Sequence, residues 1–211
     1  MFKKSLIPDR VQILADIKKA SQLYSKNLVG KKFLYIFNNS YIEVMFNKIN
    51  FLHLTGVDTF LSAERFFDNA KKGKLSTKQF YFTSKKPYQL SKRKILHICD
   101  IATLATSECF MLENISTDKS IFKFGTTDLS FTICFGEDLD NLGNKKSNCL
   151  VPYSLRDEDC FDKASNVYSV DFILSKSNDE KLYNTIIFKN ETSILSELPD
   201  DIKLLIDFDS L

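Results

Sequence analysis

The spacing of apolar residues changes near Cys109, and this change restricts what the chain can fold into. Before Cys109, apolar residues recur every three or four positions among charged residues, which is typical of amphipathic helices. After Cys109, apolar and polar residues alternate, which is typical of half-buried strands. Helices followed by strands favour an α+β fold, with N-terminal helices packed on a mainly antiparallel β-sheet.

The first part of the chain predicts three helices and one β-hairpin. The first helix covers residues 8–24, and Gly30 stops it. Its apolar residues recur every three positions: Val11, Leu14, Ile17, Ala20 and Leu23. A hairpin follows over residues 33–46, with its turn at residues 38–40. A second helix is capped by Asp58 or Thr59 and ends at residues 71–73, and a third covers residues 90–105.

The second part of the chain predicts strands. Alternating apolar residues mark three strands, over residues 129–135, 168–174 and 182–188. Residues 177–180 read as a turn, and the polar segment 136–148 as a mobile loop.

The composition excludes several classes of protein. No stretch reaches the roughly 18 apolar residues of a membrane span, and residues 1–8 lack the apolar run of a signal peptide, so we expect a cytoplasmic protein. The five cysteines form no CxxC pair, which favours reduced thiols. With two histidines, no HExxH motif and no phosphate loop, we expect neither a metal nor a cofactor.

The net charge of +2 conceals two regions of opposite sign. Residues 71–94 carry nine Lys or Arg side chains and no Asp or Glu, so this segment can face a polyanion or form a solvated surface. The segment after residue 190 is acidic, with six Asp or Glu residues against Lys203 alone.

One of the two histidines, His53, lies in a segment suited to phosphate chemistry. Imidazole titrates near neutral pH, so it can take a proton from a ribose 2′-hydroxyl or give one to a leaving oxygen. Gly56 allows a close backbone turn, Thr55 offers a hydroxyl, and the start of a helix near Asp58 would offer free N–H groups. The alternative is that His53 caps a strand or makes a core hydrogen bond.

The second histidine, His97, lies beside the apolar face of the third predicted helix. We expect it to be packed or half-buried, and the functional alternative is a second proton donor.

A second candidate segment is residues 151–156, which contain Tyr153, Ser154 and Arg156. Arg156 can bind two phosphate oxygens, Ser154 one, and Tyr153 can stack on a base or donate a proton. Alternatively, Arg156 pairs with a carboxylate in residues 157–159. Lys123 and Thr132 are polar positions in apolar alternations, which would line a substrate face or simply contact solvent.

Two neighbouring segments resemble the fourth group of phage nucleases related to barnase, EndoU, colicins and RelE. The first is the sequence FNKINFLHLTG at residues 46–56, and the second is the Phe-rich helix after it, which ends in KGKL at residues 72–75. Weaker likenesses are TICFG at residues 132–136 and VPYS at residues 151–154. The resemblance implies N-terminal helices on an antiparallel sheet and a metal-independent endoribonuclease of phage, mobile-element or toxin type. It carries His53 and Thr55 over as phosphate-site residues.

Chemistry and resemblance together predict an endoribonuclease that cleaves RNA by 2′-hydroxyl attack. The expected catalytic residues are His53, Thr55, Tyr153, Ser154 and Arg156. The expected RNA-binding residues are Lys85, Lys86, Lys92, Arg93, Lys94 and Lys123. One alternative is a non-catalytic protein that binds RNA or a host protein through the basic segment, and another is an NAD-dependent ADP-ribosyl-transferring toxin.

The expected organisation has three parts. Residues 1–30 form a helical segment, residues 31–190 a nuclease-like domain, and residues 191–211 an acidic tail. The expected partners are RNA and an antitoxin or host protein, with no membrane.

Overall fold

The computed structural model describes residues 6–118 and 120–211, so the beginning of the expected segment 1–30 lies outside the described residues. The chain divides into two compact units. The first ends at Val29 and resumes over Asn47–Ala102, and the second comprises Gly30–Phe46 and Thr103–Leu211. This division differs from the three expected parts, because the first helix shares a core with residues 47–102.

The described residues contain six α-helices and eleven strands. The helices are α1 (Leu6–Asn27), α2 (Phe51–Thr55), α3 (Ala63–Lys71), α4 (Tyr88–His97), α5 (Ile101–Leu104) and α6 (Asp200–Lys203). The strands are β1 (Lys31–Phe37), β2 (Ser40–Met45), β3 (Asp58–Thr59), β4 (Phe80–Tyr81), β5 (Phe110–Ser116), β6 (Ile121–Thr127), β7 (Thr132–Leu139), β8 (Lys145–Arg156), β9 (Asn166–Ser169), β10 (Phe172–Ser177) and β11 (Thr185–Lys189). Within residues 6–118 and 120–211, every helix is too short or too polar to span a bilayer.

An aromatic cluster joins α1, α2 and α3 of the first unit. The ring of Phe51 in α2 meets Tyr24 of α1 and Phe67 of α3 edge-on, each at a centroid distance of 5.3 Å. All three rings are buried, and the Tyr24 hydroxyl donates a hydrogen bond to the Asn47 carbonyl oxygen at 3.1 Å. Buried edge-to-face aromatic pairs stabilise a fold beyond the area they bury, so this cluster fixes α2 on its two neighbours.

The first helix is longer than predicted, and its buried face agrees with the predicted one only in part: Ile17 and Ala20 are buried, whereas Leu14 and Leu23 are half-buried. The buried apolar residues recur every three or four positions, whereas Val11 is 54% exposed. The buried residues of this face are Ile13, Ile17, Ala20 and Tyr24. A spacing of three drifts around a helix of 3.6 residues per turn, so the predicted set could not all face one core.

Two further helix predictions are wrong in their bounds. Asp58 and Thr59 do not cap a helix, because they pair with β4 as strand β3. The cap of α3 is Ser62, whose hydroxyl accepts a hydrogen bond from the Arg65 N–H at 3.3 Å. The predicted end is confirmed by the left-handed Gly73, with φ of 72°. The third helix is interrupted after His97, so it forms α4 and α5.

The second unit is built on a nine-stranded sheet in the order β11-β10-β1-β2-β8-β7-β6-β5-β9. Every neighbouring pair is antiparallel except β2 and β8, which are parallel. The predicted hairpin is confirmed as β1 and β2, with Asn38 and Asn39 at φ of 47° and 55° in its turn. Asn tolerates this left-handed geometry, which two-residue hairpin turns require. The α+β class with a mainly antiparallel sheet is therefore confirmed.

The strand predictions are right in type and often wrong in extent. Leu129 has φ of 79°, so β7 begins only at Thr132. The expected strand 168–174 is split into β9 and β10, because its first part pairs with β5 and its second part with β1. The expected loop 136–148 is wrong, since most of it extends β7 and β8, with a turn after Leu139.

The acidic segment 191–211 forms part of the core of the second unit. Its apolar side chains pack with Tyr183 and with Leu34 and Ile36 of β1. These side chains are Leu198, Ile202 and Ile206, with Leu195 and Leu205 at the edge. The Tyr183 N–H donates a hydrogen bond to the Leu205 carbonyl oxygen at 2.8 Å. The carboxylates of this segment are thus carried on a packed element.

Substitution of Ile202 tests this packing. Ile202 is fully buried in α6, so Ile202→Ala is expected to lower the free energy of unfolding by about 2–4 kcal/mol through lost burial and a cavity. The matched control is Leu204→Ala, because Leu204 is 78% exposed and should change the free energy by less than about 0.5 kcal/mol. Urea denaturation measures both, and equal effects of the two substitutions would contradict the packing.

Candidate active site

His53 lies on the exposed side of α2, in the first unit. Phe51 and Leu54 of this helix are fully buried, and Phe51 belongs to the aromatic cluster. The packing of these two residues leaves His53 on the outer side of the helix. The sequence predicted no helix between the hairpin that ends at residue 46 and the cap at Asp58 or Thr59, but His53 lies within α2.

A left-handed turn at Gly56 ends α2 and brings α4 close to it. Gly56 has φ of 70°, and a Cβ atom there would lie 2.9 Å from Cδ of Lys94 and 3.3 Å from Cα of Ser91. The Ser91 hydroxyl donates a hydrogen bond to the Gly56 carbonyl oxygen at 2.6 Å. Only glycine combines this backbone angle with so little space, so the prediction of a close turn is confirmed.

The close approach of α4 to the turn at Gly56 also places Lys94 beside His53. The aliphatic part of Lys94 passes over Gly56, and its Nζ lies 3.5 Å from the carbonyl oxygen of His53. The side chain is half-buried. A predicted RNA-binding lysine therefore lies next to the predicted catalytic histidine.

A second lysine, Lys86, is held near His53 by Asp58. The Lys86 ammonium donates hydrogen bonds to Asp58 Oδ1 at 2.8 Å and to the Val57 carbonyl oxygen at 3.2 Å. Asp58 also accepts a hydrogen bond from the Thr83 hydroxyl at 2.8 Å. The hydrogen bond from Lys86 is the largest cause that holds the pKa of Asp58 below its ordinary value. Lys86 thus has a fixed position.

These neighbours favour the neutral form of His53. Partial burial of the ring lowers the pKa of His53 from its ordinary value of 6.5, and the positive charges of Lys86 and Lys94 lower it further. The negative charge of Asp58 acts in the opposite direction and has a smaller effect. A neutral imidazole can accept a proton at neutral pH, while the two ammonium groups attract anions.

The Thr55 side chain makes hydrogen bonds with the backbone at the end of α2. Its side chain is fully buried, and its hydroxyl donates a hydrogen bond to the Leu52 carbonyl oxygen at 2.7 Å. The hydroxyl also accepts one from the Val57 N–H at 3.3 Å. This hydroxyl stabilises the end of α2. The expected phosphate site at a helix start near Asp58 is also absent from the described chain, because α3 begins at Ala63.

Most of the basic segment 71–94 is exposed. Of its nine basic side chains, all but Lys86 and Lys94 are exposed, including the predicted RNA-binding residues Lys85, Lys92 and Arg93. His97, in the last turn of α4, is half-buried as expected.

The second unit holds Ser154 and Arg156 near the end of β8. Both are half-buried, and Arg156 Nε donates a hydrogen bond to Glu158 Oε1 at 2.8 Å. Hydrogen bonds from Lys163 and Arg156 lower the pKa of Glu158. The alternative that the sequence left open, pairing of Arg156 with a nearby carboxylate, is thus observed. A phosphate-binding role of Arg156 and Ser154 stays a prediction.

Tyr153 and Lys123 share a concavity of about 750 Å³ on the sheet of the second unit. Tyr153 is 48% exposed and is the extra residue where the pairing of β7 with β8 shifts register. A Cβ atom at Gly136 would lie 2.7 Å from Cδ2 of Tyr153, so this glycine makes room for the ring. Thr132, by contrast, is fully buried and donates a hydrogen bond to the Glu158 carbonyl oxygen at 2.7 Å, so it lines no substrate face.

Sequence reasoning missed the residues that position the two lysines near His53. Asp58 was expected only as a helix cap, and neither Thr83 nor Ser91 was singled out. Asp58 and Lys86 are 28 residues apart, so no local motif joins them. No group of three or more His, Cys, Asp or Glu side chains suited to a metal ion occurs within residues 6–118 and 120–211.

Comparison with known proteins identifies a family that this chain matches. No curated protein and no solved structure matches the chain. The model of the phage-Barnase-EndoU-ColicinE5/D-RelE like nuclease4 family (PBECR4) matches residues 16–192, which include α2, α4 and all nine strands of the large sheet. Since the match covers far more than half of the 211 residues, the chain belongs to this family of nuclease-like proteins.

Proposed function

We propose that the protein is a metal-independent endoribonuclease and that His53 is its general base. The observation that carries the proposal is an exposed histidine whose pKa is lowered and whose neighbours are two positioned lysines. The family supports nuclease chemistry, and the choice of RNA rests on what an imidazole can do without a metal.

In the proposed reaction, the neutral His53 ring takes the proton of a ribose 2′-hydroxyl. The 2′-oxygen then forms a bond to phosphorus, and the bond from phosphorus to the 5′-oxygen breaks. The leaving 5′-oxygen takes a proton from solvent. The products are a 2′,3′-cyclic phosphate and a 5′-hydroxyl, and the imidazolium returns its proton to water.

Lys86 and Lys94 serve the same reaction as cations. The phosphate gains negative charge as the 2′-oxygen attacks, and fixed ammonium groups stabilise that charge. They also keep His53 deprotonated, because a nearby positive charge disfavours imidazolium. The exposed cations of residues 71–94 supply the longer-range attraction for RNA. Tyr153 and Lys123, in the concavity of the second unit, are further candidates for contacts with RNA.

Replacement of His53 is the primary test. The His53→Gln variant should cleave single-stranded RNA about 10²- to 10⁴-fold more slowly in the presence of chelator, because general base catalysis contributes about that much. Cleavage rates are measured on a labelled oligoribonucleotide, and thermal melting confirms that the variant is folded. The matched control is His97→Gln, which should retain activity.

Two substrate controls identify the chemistry. An oligonucleotide with a single 2′-deoxy sugar at the cleaved position should be resistant, since it lacks the attacking hydroxyl. The 3′ end of the product should carry a cyclic phosphate. Equal cleavage by His53→Gln and the unchanged protein would reject the role of His53, and binding of RNA without cleavage would favour the non-catalytic alternative.

The pH dependence of cleavage tests the electrostatic role of Lys94. Removal of its charge with Lys94→Met should raise the pKa of His53, because the positive charge lowers it now. The base form would then be populated only at higher pH, so the acidic limb of the rate profile should move to higher pH. Lys92→Met is the matched control, since Lys92 is an exposed lysine of the same helix. The control should leave the acidic limb in place, and an acidic limb that Lys94→Met does not move would contradict the electrostatic role of Lys94.

A further inference from the structure

The first unit displays one aromatic ring almost completely. Phe60 is 83% exposed, whereas most phenylalanines of the unit are buried. Its ring pairs with Tyr81 at a centroid distance of 4.5 Å and an interplanar angle of 33°. One side of the Phe60 ring therefore lies on Tyr81, and most of the remaining surface contacts solvent.

The backbone around Phe60 is fixed on both sides. Before it, the Thr59 hydroxyl donates a hydrogen bond to the Gln79 carbonyl oxygen at 2.5 Å and accepts one from the Leu61 N–H at 3.2 Å. After it, Ser62 caps α3. An exposed ring on a fixed backbone loses little conformational entropy when it binds a ligand.

Strands β3 and β4 form a short two-stranded ribbon next to Phe60, and this ribbon carries part of the candidate active site. Tyr81 of β4 pairs in register with Asp58 of β3, and Asp58 holds Lys86. Phe60 follows this ribbon by one residue. The ribbon thus carries Tyr81 together with the Asp58 carboxylate that holds Lys86, and Phe60 directly follows it.

The charges around the ribbon fit a nucleic acid. Lys78 and Lys85 lie on either side of β4 in the chain, and both are exposed. The whole segment 71–94 has no acidic residue. Proteins that bind single-stranded nucleic acid combine cations that follow the backbone with aromatic rings on which bases stack.

We propose that the exposed face of Phe60 stacks on an unpaired nucleobase of single-stranded RNA, which makes the Phe60–Tyr81 pair a base-binding subsite. The inference rests on the proposed function for the identity of the ligand. Base-paired RNA is a poorer ligand for this subsite, because its bases have no free face.

A tryptophan reporter tests the stacking directly, since the chain contains no tryptophan. Phe60→Trp is combined with His53→Gln so that RNA is not consumed, and the fluorescence is followed during titration. Addition of a single-stranded oligoribonucleotide should quench it strongly. Inorganic polyphosphate, which has the charges and no bases, should leave it nearly unchanged.

Affinity measurements give the contribution of the Phe60 ring to RNA binding. Phe60→Ala, also in the His53→Gln background, should weaken binding of the oligoribonucleotide about 5- to 150-fold, the range for loss of one base-stacking ring. Binding of polyphosphate and the salt dependence of RNA binding should not change, since no phosphate contact is removed. The matched control is Leu96→Ala, because Leu96 is an exposed apolar residue of the same unit, at 66%.

The outcomes separate this inference from the proposed function. If the unchanged protein cleaves RNA and Phe60→Ala binds it with full affinity, the stacking subsite is wrong and the nuclease is not. If Phe60→Ala weakens binding of RNA that the unchanged protein does not cleave, the subsite stands and the nuclease fails. Equal weakening of polyphosphate binding, or no binding of RNA by the unchanged protein, overturns the subsite.

Discussion

The close approach of α4 to the left-handed turn at Gly56 is the constraint on which the candidate site depends. The hydrogen bond from Ser91 to the Gly56 carbonyl oxygen joins the two elements at 2.6 Å. Since a Cβ atom at Gly56 would lie 2.9 Å from Cδ of Lys94, a larger residue would displace the lysine or the turn. The charge beside His53 is therefore a consequence of a backbone position that only glycine fits.

The aromatic cluster on the buried side of α2 holds this helix in place beside α4. A helix of five residues is too short to be stable alone, so it requires tertiary packing. Phe51 supplies that packing through its contacts with Tyr24 and Phe67. The buried rings thus hold in place the helix whose outer face carries His53, and the Asp58–Lys86 ion pair adds the second cation.

Local features of the sequence predicted the turns and the cationic segment of this arrangement. Residue types that adopt left-handed backbone angles marked the turns at Asn38, Asn39 and Gly56, and the absence of acidic residues marked the segment that contains Lys86 and Lys94. Distant partners could not be predicted. Nothing in the order of residues shows that Asp58 pairs with a strand and binds Lys86, or that the Thr132 hydroxyl is used by the backbone carbonyl of Glu158, 26 residues away. Periodicity also fails where the sheet has a bulge, as at Tyr153.

Membership of the family supports nuclease chemistry, and the first unit supplies the groups that the proposed reaction uses. In the proposed reaction, an imidazole base and two ammonium groups act on a phosphate that is attacked by the substrate's own 2′-hydroxyl. The central claim is that His53 is a neutral base in a cationic setting. NMR titration of the His53 ring tests it most directly. In the free protein the pKa should lie below 6.5, and a bound, uncleavable 2′-deoxy oligonucleotide should raise it, because its phosphates favour imidazolium. A pKa at or above 6.5 that the oligonucleotide does not change would contradict the account.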